Sequence, residues 1–120
     1  MEKEVSLKEP KEIVELSYLY DFYGALLKEK HRLIFEDYIL NDFSLSEIAE
    51  ERQMTRQGVY DVVRRCRIKL REYEERLQLV YKFRQTREKL EQIETIARAG
   101  GDKEAAQVIA RLAEEIYDMI

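Results

Sequence analysis

The sequence predicts an all-α chain, and three observations carry that prediction. Only one Pro and four Gly interrupt 120 residues, too few turn residues for a many-stranded β fold. Apolar residues, 45% of the chain, recur at three- and four-residue spacing, the period of a helix with one buried stripe. Charged residues supply a further 38%, enough to cover the opposite helix faces with solvated groups. The length admits one domain with a modest core, or a small domain with a helical extension.

Residues 1–9 are polar and unpatterned and are expected to fray. Pro10 suits the first turn of a helix, where its missing N–H costs nothing. Ile13, Leu16, Leu19, Tyr20, Tyr23, Leu26 and Leu27 then mark an amphipathic helix over about 11–27. Lys28-Glu29-Lys30 reads as a polar break that leaves His31 solvated. Leu33, Ile34, Tyr38 and Ile39 form the face of a second helix, about 30–40, closed by the turn-forming Asn41-Asp42. Ser44-Leu45-Ser46-Glu47 has capping-box spacing and predicts a third helix at about 45–52. Thr55 can cap a fourth. After Arg56 no strong breaker occurs before Gly100-Gly101, which allows a helix of about 40 residues or one broken near 72–75. Asp102 then caps a last helix, about 103–119, with Ala106, Ile109, Leu112, Ala113, Ile116 and Met119 on one face.

The third and fourth helices fit the offsets of a helix-turn-helix. Two helices crossing steeply through a tight turn need a small residue at the crossing (Ala49) and a hydrophobe plugging the turn (Met54). Val59 and Val62, ten and thirteen residues after Ala49, anchor the second helix, and Ile48 completes the cluster. The turn position that takes a left-handed conformation is Gln53, where Gly would avoid a cost of about 1 kcal/mol. The expected fold is therefore a tri- or tetra-helical helix-turn-helix domain without a wing, over 1–72. A helical extension over 73–120 would form a hairpin or a dimerisation element.

A net charge of −4 opposes a polyanionic partner, but its distribution does not. Residues 52–71 carry seven basic side chains and one acidic, a balance of +6, against −7 for 1–51 and −3 for 72–120. A solvated helix face would carry the same charge, so the field matters here because it coincides with the helix-turn-helix. With the anchors inward, Thr55, Arg56, Gln57, Tyr60, Asp61, Arg64 and Arg65 are the expected DNA-binding residues. Arg56 and Gln57 have bidentate chemistry for guanine or adenine edges. Tyr60 suits a sugar-phosphate or a thymine methyl. Arg65, Arg67, Lys69 and Arg71 suit phosphates. Asp61 would repel phosphate unless it meets cytosine N4 or, the simpler reading, pairs with Arg64 or Arg65 along the helix.

Four blocks carry a family resemblance: Asp21-Phe22-Tyr23-Gly24-Ala25-Leu26-Leu27, Leu45-Ser46-Glu47-Ile48-Ala49-Glu50-Glu51, Arg56-Gln57-Gly58-Val59-Tyr60-Asp61 and Tyr73-Glu74-Glu75-Arg76-Leu77. They resemble the YlxM family, small bacterial helix-turn-helix proteins similar in their central unit to region four of primary sigma factors. The resemblance covers about residues 16–83. It implies a regulator or accessory factor of protein targeting, because the genes of this family usually lie beside those of the signal recognition particle GTPase and its receptor. Gly58 stands where relatives commonly have Ala, and Thr55 where they commonly have Ser.

Beyond the central unit, Cys66, Leu70, Tyr73, Leu77 and Val80 form one stripe, packed on the body or on a second chain. A shifted stripe, Leu79, Phe83, Leu90, Ile93 and Ala97, would take the terminal helix folded back across Gly100-Gly101. Tyr81, Tyr117 and Ile120 are left to complete a homodimer, which a lone recognition helix needs in order to span two half-sites. Cys66 belongs to an apolar seam rather than to a reactive site.

No enzyme, cofactor or metal is expected: His31 and Cys66 occur singly, and no phosphate-binding glycine loop or paired ligand motif is present. No apolar run nears the roughly 20 residues of a membrane span, and Met1-Glu2-Lys3-Glu4-Val5 lacks a signal-peptide core. The cytoplasm is the expected location. Three activities follow from the sequence: a DNA-binding regulator, an accessory protein binding the targeting particle's RNA or GTPase, and a helical interaction module that reads no DNA.

Overall fold

A computed structural model describes residues 9–119, so the expectation for residues 1–8 and the role suggested for Ile120 lie outside the described residues. The described residues form α-helices and one 3-10 turn, with no strand among them, and the chain divides into two compact units at Leu77 and Gln78.

In the first unit, α1 (Pro10–Tyr23) runs into a 3-10 turn (Gly24–Leu26), then come α2 (Glu29–Ile39), α3 (Leu45–Glu51) and α4 (Arg56–Leu77). Helix α1 stops four residues earlier than its periodicity predicts. The backbone tightens at Gly24, where an added Cβ would stand 2.7 Å from the Tyr20 ring, so the close approach itself requires glycine. Leu26 consequently faces solvent, while Leu27 remains buried.

Helix α4 is the hub and packs on α1, α2 and α3. Val59, Val63, Cys66 and Leu70 are its buried stripe, at the spacing of one helix face. The offset rule named Val62 as an anchor. Val62 is only half-buried, and Val63, one residue on, takes the deep position. Because α4 contacts three helices rather than α3 alone, its inward face turns toward Val63 and away from Val62. The core is completed by Leu16, Leu19 and Tyr23 of α1 and by Ile34, Phe35, Tyr38 and Ile39 of α2. Phe35, fully buried, is a core residue that the charged sequence around it concealed.

Both turns around α3 end a helix through a left-handed residue. Asp42 and Gln53 adopt φ 55°, and the next residue's N–H reaches back to a carbonyl of the preceding helix: Phe43 to Asp37 O at 3.0 Å, Met54 to Ala49 O at 2.9 Å. The Met54 bond is a six-to-one closure and the Phe43 bond reaches one residue further back; both satisfy carbonyls that the helix end would orphan. Between the turns, the capping box closes as predicted: Glu47 N–H donates to Ser44 Oγ at 3.1 Å, and Ser44 N–H donates to Glu47 Oε1 at 2.9 Å.

The helix beginning at Arg56 ends at Leu77, beyond the expected 72–75 region. Gln78 takes φ 53° and caps the next helix, although neither Gly nor Pro marks the site. The buried stripe of α4 ends at Leu70; Leu77 and Leu79, either side of Gln78, are exposed, while Val80 is buried.

The second unit is a hairpin of α5 (Leu79–Arg98) and α6 (Lys103–Met119). It turns at Gly100, φ 66°, and Asp102 Oδ1 accepts the Ala105 N–H at 3.1 Å to start α6. Helix α6 turns Val108, Ile109, Leu112 and Ile116 inward, whereas Ala106 and Ala113, placed on the same face from sequence, are exposed. On α5, only Ile93 of the predicted stripe is drawn in. It is joined by Ile96 and by Lys89, which pairs with Glu115 at 3.1 Å. Leu79, Phe83 and Leu90 remain outside the hairpin core, Leu90 52% exposed, because the helix turns its Lys89–Ile93–Ile96 edge to α6.

Candidate nucleic-acid interface

The site is built on the first three turns of α4. Thr55 Oγ1 accepts the Gly58 N–H at 2.9 Å, the N-cap bond expected from sequence, and fixes where the helix starts. The buried Val59 and Val63 lock its rotation. Seven side chains are then presented away from the core: Thr55, Arg56, Gln57, Asp61, Arg64 and Arg65 are exposed, and Tyr60 is half-buried. Helical geometry sets them in two adjacent four-residue rows, Arg56–Tyr60–Arg64 and Gln57–Asp61–Arg65. The turn held by Gln53 leaves this face open beside α3.

Asp61 is engaged, but not with an arginine. Its Oδ1 accepts a hydrogen bond from Gln57 Nε2 at 3.1 Å. Among the described residues, Arg64 and Arg65 enter no ion pair. The reason is positional: Gln57 sits one turn before Asp61 in the same row, and the preferred polarity places a cation four residues after a carboxylate, which here is Arg65. Arg65 instead contributes to a different cluster.

The remaining cations of the basic segment divide among other tasks. Arg67 Nη1 and Arg71 Nη2 both bond Glu12 Oε1 of α1, at 3.0 and 3.3 Å. Arg52 bonds Asp37 at 2.8 Å. Arg67 and Arg71 were expected to serve phosphates, yet they fasten α1 to α4, assisted by Tyr23, whose hydroxyl donates to Glu74 at 2.5 Å. Their partner lies 55 and 59 residues away in sequence, so no local pattern announced it.

His31 lies within α2, not in a polar break. It is half-buried, and its carbonyl oxygen accepts the Cys66 thiol at 3.7 Å. Burial holds its imidazole below the usual histidine range, reinforced by Lys28, Arg65, Lys30 and Lys69. Cys66 is 1% exposed, and burial pushes its thiol up to about 11. It therefore stays protonated and unreactive at neutral pH. Tyr20 is raised to about 12 by burial and by its hydrogen bond to Glu36.

Among the described residues, no group of His, Cys, Asp and Glu side chains is placed to hold a metal ion, and no helix is long and apolar enough to cross a membrane.

Comparison with known proteins agrees with this architecture. Residues 11–111 match the family described as a helix-turn-helix protein, YlxM / p13 like. A UPF0122 protein of Thermoanaerobacter sp. (strain X514) is 44% identical over 108 residues, 87% of this chain and 92% of its own. One from Geobacillus kaustophilus (strain HTA426) is 42% identical over 103 residues, 84% of this chain and 94% of its own. The UPF0122 protein YlxM of Bacillus subtilis (strain 168) is 41% identical over 95 residues, 79% and 84% of the two chains. With a helix-turn-helix whose turn, cap and anchors are formed, and with relatives matching along most of its length, the chain belongs to the YlxM/p13-like helix-turn-helix family.

Proposed function

We propose that the protein is a DNA-binding regulatory protein that enters a major groove with the first three turns of α4. The observation that carries this reading is the paired row of outward side chains, Arg56–Tyr60–Arg64 and Gln57–Asp61–Arg65, on a helix fixed at one end by the Thr55 cap. Arg56 and Gln57, nearest the helix start, reach deepest and read base edges. Arg64 and Arg65 neutralise phosphates. One chain presents one such helix, so we extend the proposal to a homodimer spanning two half-sites. The exposed Leu79, Phe83 and Leu90 of α5 support that extension, because isolated hairpins rarely leave a row of large apolar side chains in water.

The test is a titration of the protein against duplex DNA and against signal-recognition-particle RNA at several salt concentrations. Tight DNA binding that Arg56→Ala with Arg64→Ala weakens by roughly tenfold or more supports the reading, since each such contact carries about 1–3 kcal/mol. Tight RNA binding with only weak, sequence-independent DNA binding refutes it, as does undiminished DNA binding by the double variant.

A further inference from the structure

A second cationic site lies in the first unit, one to two turns beyond the proposed DNA contacts. A cavity of about 290 Å3 opens between the first turn of α2 and the middle of α4. It is lined by the basic Lys28, Arg65 and Lys69, by His31, by the apolar Leu27, Cys66 and Ile68, and by Glu72. Among the described residues, Lys28, Arg65 and Lys69 enter no ion pair, although carboxylates are abundant in this chain and engage Arg67 and Arg71 on the same helix. Three cations and one carboxylate, Glu72, line this concavity, an excess of positive charge that a bound anion would offset. The first turn of α2 lies at the same place, with no side-chain cap from Lys28 and with Glu29 as its one acidic residue.

We propose that this cavity binds a phosphate ester of mononucleotide size. Convergent Lys and Arg donors at a helix N-terminus are the chemistry of phosphate recognition. A bare phosphate would leave the apolar lining unused, whereas a phosphate ester carries an organic group to cover Leu27 and Ile68. The volume falls at the small end of ligand pockets, roughly 300–1,000 Å3, which suits one nucleotide rather than a polymer. A duplex backbone is convex and would meet the rim of this concavity rather than fill it. The site shares Arg65 and Lys69 with the cations assigned to DNA phosphates but does not depend on that reading, because Leu27, Lys28 and His31 lie outside it.

Nuclear magnetic resonance of the full chain, titrated separately with adenosine 5′-monophosphate, guanosine 5′-monophosphate and inorganic phosphate, tests the proposal. The expected result is a saturable shift of backbone resonances at 27–31 and 65–69, with one nucleotide bound at least tenfold more tightly than phosphate. The His31 ring proton gives a second readout. The ring is faced by Lys28 and Lys30 from α2 and by Arg65 and Lys69 from α4, with Glu72 also lining the cavity, so a bound anion raises its titration midpoint. Lys28→Gln is expected to weaken nucleotide binding at least fivefold and to leave duplex DNA affinity within twofold. Absence of shifts at 27–31, equal affinity for phosphate and both nucleotides, or parallel loss of DNA binding in Lys28→Gln would each overturn the proposal. Failure to bind DNA at all would refute the proposed function and leave this site standing.

Discussion

Asp61→Asn removes the one negative charge from the basic segment while keeping a side-chain oxygen for the Gln57 Nε2 donor, now 3.1 Å from Oδ1. A carboxylate in a major groove lies about 7 Å from the nearest phosphates, where each repulsion amounts to about 0.6 kcal/mol in water. One or two such phosphates give about 0.6–1.2 kcal/mol, so the variant is expected to bind duplex DNA roughly three- to eightfold more tightly at low salt. Near 0.15 M salt the Debye length is about 8 Å, and the gain falls to about twofold. Helix stability changes little, because an exposed pair four residues apart contributes only about 0.2–0.5 kcal/mol.

Fluorescence anisotropy with a labelled duplex, run from about 0.05 to 0.3 M salt, reads both affinity and its ionic dependence. Asp61→Ala, which deletes the acceptor as well, separates charge from hydrogen bonding. If the carboxylate only repels, both variants tighten binding. If it orients Gln57 toward a base edge, Asp61→Ala loses sequence preference while Asp61→Asn keeps it. Weaker binding by Asp61→Asn would refute the electrostatic reasoning, since it would mean that the carboxylate accepts a hydrogen bond from the nucleic acid. A gain that persists undiminished at high salt would refute it too.

Other expectations follow from burial and caps. Val63→Ala, at a position 2% exposed, should lower unfolding free energy by about 2 kcal/mol, and Val62→Ala by less than half of that; equal losses in chemical denaturation would contradict the assigned rotation of α4. Ser44→Ala removes the Oγ that accepts the Glu47 N–H while keeping the backbone N–H that donates to Glu47, and should cost about 1 kcal/mol, read in the same assay. The Cys66 thiol, raised to about 11 from an ordinary 9.0, stays protonated in the folded chain while the unfolded chain ionises. Its stabilising contribution is therefore complete below pH 9 and is lost as pH rises from 9 to 11, by about 2–3 kcal/mol in all. Thiol-reactive reagents at pH 8 should label Cys66 only at the rate of unfolding, and immediate labelling of folded protein would show the thiol to be accessible.

The central unit was legible because its signals are local. Ser44 and Glu47 are three residues apart, Thr55 and Gly58 likewise, and Gln53 is placed by its distance from Ala49. Each feature follows from backbone geometry within one turn, and each formed as read. Rotational detail was less legible. An apolar pair such as Val62-Val63 offers two rotations of α4 that differ by 100°, and only the bodies of α1 and α2 decide between them. The break at Gln78 is not written in composition at all. A glutamine in the left-handed region costs about 1 kcal/mol, so the residue type at 78 does not announce the break.

Charge was the least legible feature, and its division alters what the site can do. Counting residues 52–71 gives one field of +6, as though a polyanion would meet seven cations. The fold assigns Arg52 to Asp37 and both Arg67 and Arg71 to Glu12. Among the described residues, that leaves Arg64, Arg65 and Lys69 as the cations of the segment that enter no ion pair. Phosphate contacts release counterions at about 0.9 per contact on duplex DNA. A chain using those three cations should therefore show a slope of log affinity on log salt of about −2.7, and one using all seven a slope of about −6.3. The Glu12→Gln variant decides the matter: releasing Arg67 and Arg71 should steepen the slope only if the native pairs hold when nucleic acid binds. An unchanged slope near −6 in both proteins would mean that DNA displaces Glu12, and that α1 is held to α4 by its apolar contacts alone.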